Sequence, residues 1–211
     1  MPNKFNNITE DQYNELSEFN HEYEQAMILT QQIQHPSVTL YGGAKLGEDT
    51  QTYKEIYSLA KELGKNGWSV LTGGGPGIMA AGLIGVKAGG GQAVGFRLRL
   101  SGEDPITEGN IDFRFEHFPP RKYALRQSNI YIYCPGSVGT LDELMENLAL
   151  SKTNKMPNKK IYLYDSSYWK GLTDWIEQTI IQEWKLGDPS LKNLYQIVDS
   201  KEEILQDLFG L

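Results

Sequence analysis

The sequence predicts an α/β fold: a doubly wound parallel sheet with helices on both faces, preceded by a helical extension over 1–35 and occupying 36–211. Two observations carry this. Short β-branched and aromatic runs alternate with longer segments of helical periodicity almost throughout 36–211. Three of the strand ends pass straight into glycine turns: Gly42-Gly43-Ala44, Thr72 to Gly77, and Pro135 to Thr140. The strand–glycine–helix unit recurs, and no other internal repeat is visible.

Residues 8–34 read as a helix, with Thr9 as N-cap, Glu10 and Asp11 in the first turn, and Tyr13, Leu16, Phe19, Tyr23, Met27 and Leu29 as an imperfect apolar stripe. Such a helix lies on the main domain or on a second subunit. Pro36 ends it. Val38–Tyr41 is a first strand, 50–66 a helix closed by Gly64 and Gly67, and Trp68–Leu71 a second strand. Three consecutive glycines, Gly73, Gly74 and Gly75, let a ligand approach the backbone closely. Pro76 suits the first turn of the following helix, whose Ala80, Ala81, Gly82 and Gly85 predict tight packing. Residues 92–98 form a third strand and 100–110 an exposed loop. Ile111–Phe118 alternates as an edge strand does, and Pro119-Pro120 opens a short helix, Arg121–Arg126. A buried strand from Ile130 then breaks at Pro135-Gly136, and a helix restarts at Gly139 with Asp142 and Glu143 in its first turn. A strand at 160–165 precedes a long amphipathic helix over 166–184, with Trp169, Leu172, Trp175, Ile176, Ile180 and Ile181 facing inward. A short strand at 195–199 and a helix at 201–208 close the chain.

The chain has 211 residues, 39% hydrophobic and 22% charged, with a net charge of −7. That balance argues against binding a nucleic acid polymer, which needs a basic face. No apolar run approaches the roughly 20 residues of a membrane span, and 1–7 has no apolar leader, so a cytoplasmic location without membrane attachment is expected. The one cysteine, Cys134, excludes an internal disulfide and reads as a small buried hydrophobe. His21, His35 and His117 lack metal-ligand spacing, so no metal site is expected, and no motif asks for a cofactor.

A strand, a glycine turn and a helix start, in that order, make an anion cradle, because the first N–H groups of a helix are unpaired and its dipole favours negative charge. With Asp142 and Glu143 close by, the cradle suggests chemistry on a phosphorylated small molecule. In a doubly wound sheet, ligands bind beyond the carboxyl ends of the strands, so the three glycine turns converge there. The spaced dinucleotide fingerprint and the Gly-Lys-Ser/Thr of a P-loop are both missing, which argues against hydride transfer and NTP hydrolysis.

Gly73-Gly-Gly-Pro-Gly-Ile-Met79, Arg121-Lys122 and Pro135-Gly-Ser-Val-Gly-Thr-Leu-Asp-Glu143 resemble the three motifs of the LOG ("Lonely guy") family of nucleoside 5′-monophosphate phosphoribohydrolases, often labelled lysine decarboxylases. The resemblance covers roughly 37–185. It implies a Rossmann-like fold, a homodimer or higher homo-oligomer, and hydrolysis of the N-glycosidic bond of a nucleotide such as AMP or a cytokinin riboside monophosphate. It implies Glu143 and Arg121 as catalytic residues. The substrate and its phosphate would meet Gly42, Gly43, Gly73, Gly74, Gly75, Lys122, Pro135, Gly136, Ser137, Gly139 and Thr140, and Asp142 would be a capping or surface residue. Ser137 stands where the motif has glycine, so some strain is expected in that turn; Ala80 stands where many relatives carry Glu or Gly. No motif supplies a pyridoxal site for lysine decarboxylation. The alternative is a nucleotide sensor or carrier of the same fold without turnover.

Overall fold

A computed structural model describes residues 9–99 and 109–210; the greater part of the expected loop at 100–110 lies outside them. Seven strands form one sheet: β1 Ser37–Tyr41, β2 Ser69–Thr72, β3 Ala93–Leu98, β4 Ile111–Phe115, β5 Ile130–Tyr133, β6 Lys160–Tyr164 and β7 Gln196–Val198. Their order is β4-β3-β2-β1-β5-β6-β7, and every pairing is parallel. The winding therefore reverses between β1 and β5. This is the Rossmann-like doubly wound arrangement, and it puts a crevice at the carboxyl ends of β1 and β5.

Strand residues alternate between two cores, as a sheet covered on both faces requires. Val38, Leu40, Ile130, Ile132, Tyr162 and Tyr164 pack under helices α2 (Gln51–Lys65), α3 (Ile78–Ala88) and α7 (Lys201–Phe209). Tyr41, Leu71, Val94, Tyr131, Tyr133 and Leu163 pack on the other face with Ala26, Ala124, Leu144 and Trp169. These come from α1 (Glu10–Thr30), α4 (Phe118–Leu125), α5 (Val138–Lys152) and α6 (Ser166–Trp175). The small residues of α3 allow contact with α2: a Cβ on Gly85 would lie 2.4 Å from the Tyr57 carbonyl oxygen. Trp169 is fully buried, and its indole N–H donates to the Tyr133 carbonyl at 3.1 Å.

Helix α1 begins with the expected Thr9 cap, completed by a reciprocal bond from Gln12. Its Glu22, buried near α4, accepts the main-chain N–H groups of Glu116 (2.5 Å) and His117 (3.0 Å) and faces His117 Nδ1 at 3.0 Å. Phe19 packs edge-on against His117, and Tyr23 packs against Tyr123.

Four local expectations need correction. β4 ends at Phe115, and α4 begins at Phe118 with the two prolines in its first positions, where their missing N–H groups cost nothing. Pro76 lies before α3, because Gly77 is that helix's N-cap. The helix from Ser166 changes to i→i+5 winding over Ile176–Glu183. Within it Trp169, Leu172, Thr173 and Ile176 form the inward stripe, and Trp175, one step off that stripe, is 53% exposed. Ser137 adopts φ −109° and ψ −161°, ordinary extended backbone, so the turn is unstrained there.

Candidate active site

The three glycine turns meet at the β1/β5 reversal and are tied together through main chain. The Gly43 N–H donates to the Pro135 carbonyl at 2.9 Å, and the Ile78 N–H donates to the Gly43 carbonyl at 3.2 Å. Gly77 sits at φ +65°, and a Cβ there would lie 2.4 Å from the Gly43 oxygen. At Gly136 a Cβ would lie 2.1 Å from Thr140 Oγ1. Glycine is thus required where one turn crosses another. Tyr168 adds a hydroxyl bond to the Gly136 carbonyl at 2.6 Å.

Above the turns is a cavity of about 290 Å³. Of the residues singled out from sequence, Gly42, Gly43, Gly73, Gly74, Gly75, Arg121, Ser137, Gly139, Thr140 and Glu143 line it. Pro135 and Gly136 lie behind that lining and shape the turn. Lys122 points elsewhere: it pairs with Asp142 at 2.6 Å and Glu146 at 3.0 Å. Burial opposes its charge, but the hydrogen bonds it donates to Asp142 and Glu146 outweigh that and hold its pKa above the usual lysine range. Asp142 is at the cavity rim, half exposed and paired with Lys122; it caps no helix. Ala80 is in the core, and its neighbour Met79 reaches the cavity.

Helix α5 starts at Val138, one residue before the Gly139 expected, with Ser137 as its N-cap. The Ser137 side chain makes no capping bond. The Thr140 and Leu141 N–H groups both return to the Ser137 carbonyl, at 2.9 and 3.1 Å. Val138 and Gly139 keep N–H groups with no acceptor in the helix, at the positive end of its dipole. This earlier start moves Asp142 and Glu143 out of the first turn. Helical side chains lean back toward the N-terminus, so Glu143 still reaches the cavity.

Glu143 is buried, with a relative exposure of 5%. Its Oε1 is 3.5 Å from an Arg121 terminal nitrogen, and its Oε2 is buried without a hydrogen-bond partner. Burial pushes the carboxyl up to about 7, against the pull of Arg121 and Lys122 and with added push from Glu146 and Asp142. Arg121 is anchored by its Nε–H to the Phe96 carbonyl at 2.8 Å, which fixes the guanidinium beside both Glu143 and the second turn. Under Glu143, the Tyr133 hydroxyl donates to the Glu143 main-chain carbonyl at 3.2 Å and accepts from Asn147 Nδ2 at 2.5 Å. Tyr41 stacks on Tyr133 at 4.6 Å, and its hydroxyl is buried and unpartnered.

Sequence reasoning did not single out Tyr41, Arg97, Leu98, Arg114 and Phe118, all of which line the cavity. The signal for the arginines was present: both sit toward the carboxyl ends of strands, where a doubly wound sheet binds its ligands. Cys134 is fully buried, and burial raises its thiol pKa well beyond the range of a reactive cysteine. Among the described residues no cluster of three or more His, Cys, Asp or Glu has metal-binding geometry, and no helix is long and apolar enough to cross a membrane.

The cavity thus brings a buried carboxyl and an arginine beside a helix start whose N-cap side chain makes no bond, in a doubly wound fold. The family model described as "possible lysine decarboxylase" matches residues 79–208, and the chain belongs to this family, the LOG family of the motif resemblance. A probable cytokinin riboside 5′-monophosphate phosphoribohydrolase of Oryza sativa subsp. japonica is 24% identical over 178 residues, covering 81% of this chain and 69% of the relative. A molybdenum cofactor binding protein from Rippkaea orientalis shares the fold at a TM-score of 0.61 and 21% identity, covering 84% of this chain and 97% of that one. The molybdenum cofactor carrier protein of Chlamydomonas reinhardtii shares it at 0.59 and 18%, covering 84% and 98%.

Proposed function

We propose that this protein hydrolyses the N-glycosidic bond of a nucleoside 5′-monophosphate, releasing free base and ribose 5-phosphate. The observation that carries the proposal is Glu143: a buried carboxyl with one unpartnered oxygen, beside Arg121, in a cavity that begins at an uncapped helix N-terminus. Family membership and the name of the rice relative support the same reading, with AMP or a cytokinin riboside monophosphate as the type of substrate.

The 5′-phosphate sits against the Val138 and Gly139 N–H groups and the Thr140 hydroxyl. Breaking the bond between the ribose carbon and the base nitrogen builds positive charge on the ribose, as in glycoside hydrolysis. Ionised Glu143 stabilises that charge or takes a proton from the water that adds to the ribose carbon. The departing nitrogen keeps the bonding electrons and takes up a proton from solvent, which balances the proton that the added water gives up. Arg121 orients the substrate and Glu143 together.

The test is incubation with a panel of nucleoside monophosphates and chromatography for free base. Base release is expected from the wild type. Glu143→Gln is expected to abolish it while retaining nucleotide binding by calorimetry. Binding by the wild type without any base release would refute the enzyme and select the carrier alternative.

A further inference from the structure

The far wall of the cavity, at the ends of β3 and β4, carries two arginines with no role in the chemistry above. Arg97 and Arg114 are register partners on neighbouring parallel strands, and both line the cavity. Like charges placed directly opposite destabilise a sheet. Among the described residues one carboxylate answers them. Asp112 takes Arg97 in a two-point grip, with Nε–H to Oδ1 at 2.6 Å and a terminal nitrogen to Oδ2 at 2.5 Å. Arg114 has no ion-pair partner among the described residues. Gly74 makes the arrangement possible: at φ +69° a Cβ there would lie 2.3 Å from Arg97 Cγ, so only glycine lets the arginine stem cross the second turn. Leu98 and Phe118 add apolar surface at the same end.

The order of groups along the cavity sets what this wall can meet. The helix start of α5 lies over β5, Glu143 and Arg121 lie between, and Arg97 and Arg114 lie over β3 and β4. With phosphate at the helix start and the ribose carbon at Glu143, the base extends toward the arginines. A guanidinium has donors and no acceptor. It matches the O6 and N7 acceptors of a 6-oxopurine, and it opposes the N6 amino donor of adenine.

We infer that Arg114, with Arg97 held beside it by Asp112, is the base-selecting wall of the site, and that the substrates are 6-oxopurine nucleoside 5′-monophosphates in preference to 6-aminopurine ones. This rests on the nucleotide reading of the preceding section and deepens it. It sets the chain apart from its rice relative, whose name specifies a cytokinin riboside monophosphate.

The test compares IMP with AMP, which differ only at the C6–N1 edge of the purine: a 6-oxo group with N1–H in IMP, a 6-amino group with bare N1 in AMP. Calorimetry on the full-length Glu143→Gln protein measures binding without turnover, and kcat/KM on the wild type measures the reaction. IMP is expected to bind roughly tenfold to a hundredfold more tightly than AMP, the range of one bidentate base contact. Arg114→Met is expected to collapse that ratio toward one, and Arg114→Lys, which keeps the charge and loses the planar fork, to give an intermediate ratio. AMP binding as tightly as IMP would overturn the inference and leave the nucleotide reading standing. Arg114→Met weakening both nucleotides by the same factor would also overturn it, since the arginines would then hold the phosphate. No binding of either nucleotide would overturn the nucleotide reading and this inference together.

Discussion

Glu143 is the residue on which the reaction and the stability of the fold pull in opposite directions. Its carboxyl titrates at about 7 in the folded chain, against an ordinary value of 4.5. A raised folded-state pKa means that folding favours the protonated form. That contribution is complete below about pH 4.5 and is lost as the pH rises through 7. At about 1.4 kcal/mol per unit, the ionised carboxylate costs the fold on the order of 3 kcal/mol at pH 8. Glu143→Gln is therefore expected to be more stable than the wild type in denaturant titrations at pH 8, with the gap closing near pH 4.5. The proposed reaction needs the ionised form, so kcat/KM is expected to rise with pH through a limb centred near 7; a flat profile between pH 5 and 8 would remove Glu143 from the proton chemistry. Tyr41→Phe addresses the buried hydroxyl nearby. If that hydroxyl supports the ionised carboxylate, its loss moves the acid limb to higher pH and lowers kcat more than it changes KM. That Glu143 and Arg121 face one cavity was readable from short motifs, because residue type and spacing are local signals. Tyr41, Arg97 and Arg114 were not singled out: the strand-end position of the arginines was visible, but which strand ends meet is decided only when the sheet assembles.

At the scale of the element, α4 depends on a residue far away in sequence. Glu22 accepts two main-chain N–H groups at the start of the helix that carries Arg121. Glu22→Ala would leave both without their acceptor, at about 1–3 kcal/mol each. The variant is expected to unfold at lower denaturant and to lose turnover through misplacement of Arg121, with Glu22→Gln intermediate in both. Gly77→Ala tests the crossing of turns. With φ at +65° and the Gly43 oxygen 2.4 Å from the new Cβ, the change is expected to cost roughly 1–3 kcal/mol and to raise KM. The existence and order of the elements were legible, because β-branched runs and glycine punctuation are local signals. The ends were less so. Proline fits both the exit of a strand and the start of a helix, which is why β4 was read three residues too long. Glycine at 139 marked a helix start that serine at 137 makes. The contact of Glu22 had no sequence signal, because nothing in a helical stripe says which loop it will meet.

For the whole molecule, the parallel sheet was legible from alternation, and the three glycine turns pointed to a cavity at its carboxyl ends; the strand order and its reversal between β1 and β5 came only with the structure. The outward face of α1 was not assigned. Tyr13, Leu16 and Met27 recur at helical spacing and are exposed. Binding links to stability: a nucleotide at a hundred times its dissociation constant is expected to add about 2.7 kcal/mol, read as a rise in Tm that follows concentration.

Trp169 gives the molecule its own optical probe. Its indole is fully buried and bonded to the Tyr133 carbonyl, the last residue of the strand that feeds the third turn. Trp175 and Trp184 are exposed and open to a soluble quencher such as iodide, and Trp68 is partly covered. Under iodide the residual emission is weighted toward Trp169, blue-shifted and positioned one short turn from the proposed phosphate cradle. Occupancy of the cradle can then be followed by intrinsic fluorescence, with no label and no need for turnover.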